Sequence, residues 1–305
     1  MTMRRKVNKV GTSTLTVSLP SKWAHAHGLA RGDEVVLREE GNDLVISTEG
    51  GTRSATCEVD VSGYGPMVGR VVGALYKAGY DEFKLTFDDP SMAGRIEKEL
   101  SKGFFGLDFL HRGKNHCILR AMASIRPDEL DTSIRRLFKL IMENADEAVA
   151  ALRDGRFDDL ELVAQKDVNV NKFADFARRL LNKHGHPGVG QTSMVYFIVE
   201  ELENVGDKYK YLAEYLARRE HKPDEGVLEA FSLVRSFLEE FFELFYSFSA
   251  AAYRRFGDSY KSVRKKIEMR RREAKGEDLV VLVKLDSMVQ AIFDLNGPLV
   301  TSHVA

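Results

Sequence analysis

At 305 residues the chain is long enough for two or three domains, and 44% hydrophobic with 30% charged side chains describes a globular protein, not a disordered one. Two cysteines, Cys57 and Cys117, are too few for a disulfide framework or a thiolate zinc site, and both fall in strand-like runs that read as buried positions. The net charge of -1 conceals an uneven distribution; no apolar run reaches the roughly 18 residues that span a bilayer, and no signal peptide is legible, so a cytoplasmic protein is expected.

No acidic side chain precedes Asp33, whereas Arg4, Arg5, Lys6, Lys9 and Lys22 are basic. Val7, Val10, Leu15, Val17 and Leu19 supply β-formers, with Gly11 as the break between two short strands. Pro20 suits the first turn of a helix, Ser18 precedes it as a candidate cap, and Gly28 stops it. Gly32-Asp33 then turns the chain into two more strands, VVLRE and DLVIS, joined through Glu40-Gly41-Asn42-Asp43. A unit this small cannot bury a core alone, so the pattern predicts a homodimer with a basic edge for a polyanion.

Lys9-Val10-Gly11, Thr16 to Pro20, Trp23-Ala24 and Leu29 to Val35 resemble the AbrB/SpoVT swapped-hairpin DNA-binding domain. The resemblance implies two chains interleaving hairpins into one small barrel over residues 1–50. It places Arg4, Arg5, Lys6, Lys9 and Lys22 on the side facing double-stranded DNA. Antitoxins, transition-state regulators and fused sensor proteins share this fold, so the resemblance indicates a partner class more than a biological role.

Residues 51–125 read as strand (54–61), helix (Gly65–Gly79), strand (81–89), helix (90–103) and two closing strands (107–113 and 116–124). Alternating periods of this kind predict a ferredoxin-like α/β connector or sensing domain. Gly69 and Gly73 permit a close approach of the first helix to the sheet. Val68, Val71, Val72 and Leu75 read as core, and no dinucleotide fingerprint is present.

Beyond Arg126 the period becomes 3.6. Pro127 opens a helix whose apolar positions run from Ile134 to Leu152, and Gly155 ends it. Further helices are expected over about 158–183, 191–219, 224–256, 258–275 and 277–300, giving two three-helix bundles in tandem. The aromatic-rich stretch from Phe231 to Phe256 reads as bundle core, and the basic run from Arg254 to Lys275 as a solvated face. His184, His186 and His221 lack chelating spacing and read as exposed turn residues.

The acidic run within 191–219 carries the chemistry. Glu203 and Asp207 are four apart and share one helical face; Asp167 and Asn171 do the same on the preceding helix. Like charges at this spacing cost a few tenths of a kcal/mol, and Gly206 in the interior costs about 1 kcal/mol relative to alanine. A bound cation that prefers oxygen donors would offset both.

ELENVGDKYKYLAEYL and the stretch from Met142 to Phe173 resemble the PhoU family, and the resemblance covers about 126–305. It implies acidic motifs that bind divalent or iron-type metal ions and a role in regulating phosphate uptake. By position Glu203, Asp207 and Asp167 match the motif, while Asn171 replaces an expected acid. In the second bundle Asp286 and Gln290 fall at the equivalent places, opposite Lys265 and Met269, so that site reads as degraded. With no nucleophile, base or positioned histidine, the chain reads as a multi-domain α+β regulator and not an enzyme. The competing reading is an adaptor that regulates a phosphate transporter or sensor kinase without binding DNA.

Overall fold

A computed structural model describes residues 4–40, 43–48, 55–122, 126–186, 188 and 191–304. The chain divides into two compact units, Met1–Arg53 and Ser54–Ala305. The first contains β1 (Val7–Val10) and β2 (Thr14–Val17), paired antiparallel with Val7 opposite Val17, then α1 (Ser21–Ala26). β3 (Val35–Glu40) and β4 (Asp43–Thr48) form a second antiparallel pair. Gly11, in the β1–β2 turn, takes φ 68, a left-handed conformation that glycine adopts without penalty. The helix begins at Ser21, and no side chain caps it, so Ser18 does not play the role its position suggested. None of the described residues of this unit is buried.

The second unit opens with β5 (Thr56–Asp60), a 3-10 turn, α2 (Val68–Lys77), β6 (Glu82–Thr86), α3 (Ser91–Ser101), β7 (Leu107–Arg112) and β8 (His116–Ala121). The sheet order is β5-β6-β8-β7, with β5 and β6 parallel and the remaining pairs antiparallel. This corrects the ferredoxin-like expectation: that topology is βαββαβ, whereas here both helices come before the closing hairpin. Phe83 and Leu85 alternate into a core with Val72, Tyr76, Ile96, Cys117 and Leu119. Cys57 is half-buried and Cys117 buried. Gly69 and Gly73 face Glu99 and Phe104 and not the sheet, and so admit the end of α3 alongside α2.

The remaining elements are α4 (Glu129–Asp154), α5 (Asp158–Gln165), α6 (Asp167–His184), α7 (Thr192–Leu216), α8 (Glu225–Tyr246), α9 (Ala250–Glu273), α10 (Gly276–Asp294) and α11 (Asn296–Val304). Two boundaries differ from the sequence reading. The expected 158–183 helix is broken at Lys166, and the break expected near Gly257 lies at 247–249, where Ser249 Oγ accepts from Ala252 N at 3.2 Å. α4, α6 and α7 pack together, as do α8, α9 and α10. The two trios are not separate bundles, because α4 also packs on α8 and α7 on α10 around one continuous core. Phe138 of α4 lies against Phe241, Phe242 and Phe245 of α8, and Phe237 stacks on Phe256 at 4.6 Å. The aromatic run is core, as its spacing predicts.

The sheet half and the helical half meet at α6. Arg179, 0% exposed, donates to the carbonyls of Tyr76 and Tyr80, both at 2.7 Å, and to Asp81 Oδ1 at 2.7 Å. Lys183 pairs with the same carboxylate, and Asn182 Nδ2 donates to Lys77 O at 2.8 Å. The last carbonyls of α2 are served from beyond the helix: the N–H groups of Ala78, Gly79 and Tyr80 reach Ala74, Tyr76 and Leu75, and donors on α6 reach Tyr76 and Lys77 while placing cations at the negative end of its dipole. Phe173 and Phe176 close the junction against Phe105.

Candidate functional site

The predicted DNA-facing residues are accessible. Arg4, Arg5 and Lys6 precede β1, Lys9 lies within it and Lys22 lies on α1; all five are exposed, and none forms an ion pair among the described residues. The strands they accompany expose their apolar side chains: Val7 is 63% and Leu15 68% exposed, and Val10, Val17, Leu37 and Leu44 are similarly open. A two-stranded ribbon with no covered face is marginal in water.

The predicted acidic residues converge elsewhere, on a cavity of about 900 Å3 inside the second unit. One wall comes from α2 and the end of α3, including Arg70, Lys77, Glu99 and Lys102. The other comes from α5, α6 and α7 and includes Asp167, Asn171, Asp175, Glu203, Asp207 and Lys210. The four residues chosen from sequence therefore line one cavity. The three carboxylates among them are nevertheless held by protein cations. Lys210 Nζ lies 3.1 Å from Asp167 Oδ2 and 3.5 Å from Asp207 Oδ1. Arg178, buried on α6, contacts Asp175 at 3.0 Å, Glu203 at 3.7 Å and Glu200 more closely still. Asn171 Nδ2 donates to Asp167 Oδ2 at 2.9 Å.

Burial is the main force acting on these carboxyls. It pushes Asp167, Asp175 and Glu203 above the ordinary carboxylate range, although Lys210 lowers the first and Arg178 the other two. The carboxyl oxygens do not assemble as a metal-binding trio: among the described residues no group of three His, Cys, Asp or Glu is placed to hold an ion. Lys210 stands between two of the carboxylates, where a metal would have to sit. The donor set of Asp167, Asn171, Glu203 and Asp207 thus does not fit the divalent or iron-type ions that the PhoU resemblance implies.

The glycine in this motif also has a packing explanation. A Cβ on Gly206 would lie 2.7 Å from Val170 Cγ1 and 3.7 Å from Ile141 Cγ1, so bare backbone is what lets α7 approach α6 and α4. In the second trio Asp286 is held by Arg264 at 3.0 Å and Arg271 at 3.4 Å, and Lys265 is exposed; the cations opposing Asp286 are those two arginines. Gln290 bridges Tyr260 and Asp294. His186 is half-buried, accepting from Gly188 N at 3.0 Å, with burial lowering its pKa; His184 is half-buried too, and only His221 is exposed.

Arg178, Lys210 and Arg70 escaped the sequence reading. The signal for Arg178 was present: the consecutive arginines 178 and 179 interrupt the apolar positions Ala174, Ala177 and Leu181, and a cation on the core side of a helix needs a partner.

A family described as antidote-toxin recognition MazE, bacterial antitoxin, matches residues 9–53. This supports an N-terminal domain of the AbrB-like, DNA-binding type. No curated protein and no solved structure matches the chain. Among the described residues no helix is long and apolar enough to cross a membrane.

Proposed function

We propose that the chain is a dimeric DNA-binding transcriptional regulator, with the cavity between α2 and α7 serving as its effector site. The observation that carries this reading is the N-terminal unit, in which unpaired basic side chains accompany strands whose apolar faces lack a cover. A second copy interleaving its hairpins would bury those faces and bring two basic edges to one duplex. The match to MazE over residues 9–53 supports the same assignment. Effector occupancy would bias DNA affinity by a coupling of about 1–3 kcal/mol. Phosphate uptake as the controlled process is supported by the helix resemblance alone.

Titration of a DNA duplex at several salt concentrations tests the proposal. Arg5→Ala or Lys9→Ala is expected to weaken binding and to lower the salt slope by about one per lost phosphate contact. Deleting Arg270–Arg272 is expected to matter much less, because these side chains are already paired with Glu229, Glu268 and Asp286. Binding abolished by that deletion and untouched by the N-terminal substitutions would place the DNA face elsewhere. No salt-dependent binding at all would favour the adaptor reading, in which the helical half meets a transporter or sensor kinase.

A further inference from the structure

The four-stranded sheet ends in two edges of different character. β7 is interrupted by a bulge between Phe109 and His111, a device that keeps an edge from pairing further. β5 pairs in register with β6 along its whole length and carries no proline, lysine or bulge. Val61 N donates to Thr86 O at 2.8 Å, so by alternation the backbone groups of Thr56, Glu58 and Asp60 point away from β6. No hydrogen bond from another element reaches these outward groups among the described residues.

The helix beside this edge is open on the same flank. Gly69 and Gly73 turn one side of α2 toward α3, which packs on β7 at the far edge. At helical spacing Val71, Ala74 and Leu75, with Ala78 just beyond the helix, fall on the opposite side, bordering β5. Ala74 and Ala78 are exposed. Val71 and Leu75 are only partly buried, as are Cys57 and Val59 on the covered face of β5.

An open strand edge takes a partner strand, and an apolar flank takes another apolar surface. An added peptide strand would serve the first alone. A second copy supplies both, because a two-fold contact presents each copy with the surface it offers. We propose that two copies of the chain join β5 antiparallel to β5, continuing the sheet, with the α2 flanks packed together across the axis. Centred on Glu58, this register opposes Thr56 to Asp60 and Cys57 to Val59, keeps the apolar side chains on the covered face and leaves each Glu58 its own Lys84 at 2.9 Å. α2 then holds the interface on one flank and the cavity wall, through Arg70 and Lys77, on another. The contact lies within the second unit and depends neither on DNA nor on an effector, so its failure leaves the proposed function standing.

The test is disulfide trapping in the full chain. In a Cys57→Ser background, Glu58→Cys puts one thiol from each copy at a hydrogen-bonded pair, whose Cα atoms lie about 5.5 Å apart, within disulfide reach. Asp108→Cys on β7 is the control, since association through the N-terminal unit would affect both variants alike. A linked dimer is expected with Glu58→Cys under mild oxidation, forming about tenfold faster than with Asp108→Cys and slowed about tenfold by Ala74→Lys, whose exposed side chain burdens the interface and not the fold. Should the cysteine variants disturb the sheet, hydrogen exchange of the unaltered chain decides instead. The outward N–H groups of Thr56, Glu58 and Asp60 should exchange slowly, and more slowly as protein concentration rises. Exchange at the rate of open amides at high micromolar concentration would overturn the proposal. So would trapping no faster than at Asp108, or trapping indifferent to Ala74→Lys.

Discussion

At the scale of single residues, Glu203 and Gly206 make opposite demands on α7. Glu203 is held above its ordinary pKa, chiefly by burial, with Asp207, Glu200 and Asp175 adding repulsion and Arg178 opposing them. Its ionised form is therefore penalised in the folded state. The penalty sets in as pH rises above the unfolded value of about 4.3 and is complete above the raised folded value. Glu203→Gln should accordingly raise the urea midpoint near neutrality and reduce the stability gained on mild acidification. A lower midpoint at neutral pH would show that the Arg178 contact outweighs burial. Gly206→Ala should destabilise even though alanine is the better helix former by about 1 kcal/mol. Its methyl group meets the buried, β-branched Val170, and overpacking of this kind costs about 1–3 kcal/mol. Pairing it with Val170→Ala should recover the loss; an unaltered midpoint for Gly206→Ala alone would mean the helices can separate. The sequence made both residues visible as anomalies. Their cause was hidden, because it lies in groups brought near by packing and not by spacing.

At the scale of elements, α6 holds the sheet half and the helical half together. Arg179→Met would remove the guanidinium from the carbonyls of Tyr76 and Tyr80 and from Asp81, leaving Tyr76 O with the Gly79 N–H, and losing one partner of a buried charged contact costs about 3–5 kcal/mol. The loss should be felt first in the sheet half, where Cys117 is buried in the core. Modification of Cys117 by a thiol reagent should therefore accelerate well before the helices melt. Labelling at the parent rate would show that this junction does not hold the sheet half in place. The helices themselves were legible from their 3.6-residue period, since an apolar stripe must face something. Two of their ends were not. Lys166 carries no breaking signal, and Gly257 resembles a stop although α9 runs through it. Ser249, a good cap, ends up deciding where that helix starts. The sheet order was hidden as well, because alternation sets which residues face the core but not which strand lies beside which. Asp167, Asn171, Glu203 and Asp207 were found together because i,i+4 spacing on adjacent helices survives folding; Lys210 and Arg178 were overlooked because cations on helices are usually solvated.

At the scale of the molecule, the two units differ in how they acquire stability. Residues 54–305 contain two hydrophobic cores of their own, whereas the N-terminal unit has no buried residue among those described. Deleting residues 1–53 should leave a folded protein that no longer binds duplex DNA. In the full chain, the proposed dimer predicts that melting of the N-terminal unit depends on protein concentration. A strictly monomeric and folded fragment of residues 1–53 at low micromolar concentration would contradict this. Within the larger unit, one helix carries both the cavity-lining residues Asp167 and Asn171 and the anchoring side chains at Arg179 and Lys183. Each residue turns an α-helix by about 100°. One amino acid inserted between Asn171 and Arg178 would swing the anchors away from the sheet or the lining residues away from the cavity. Length changes accepted in surface turns are thus excluded here, and this stretch of the coding sequence should tolerate substitution far better than insertion or deletion.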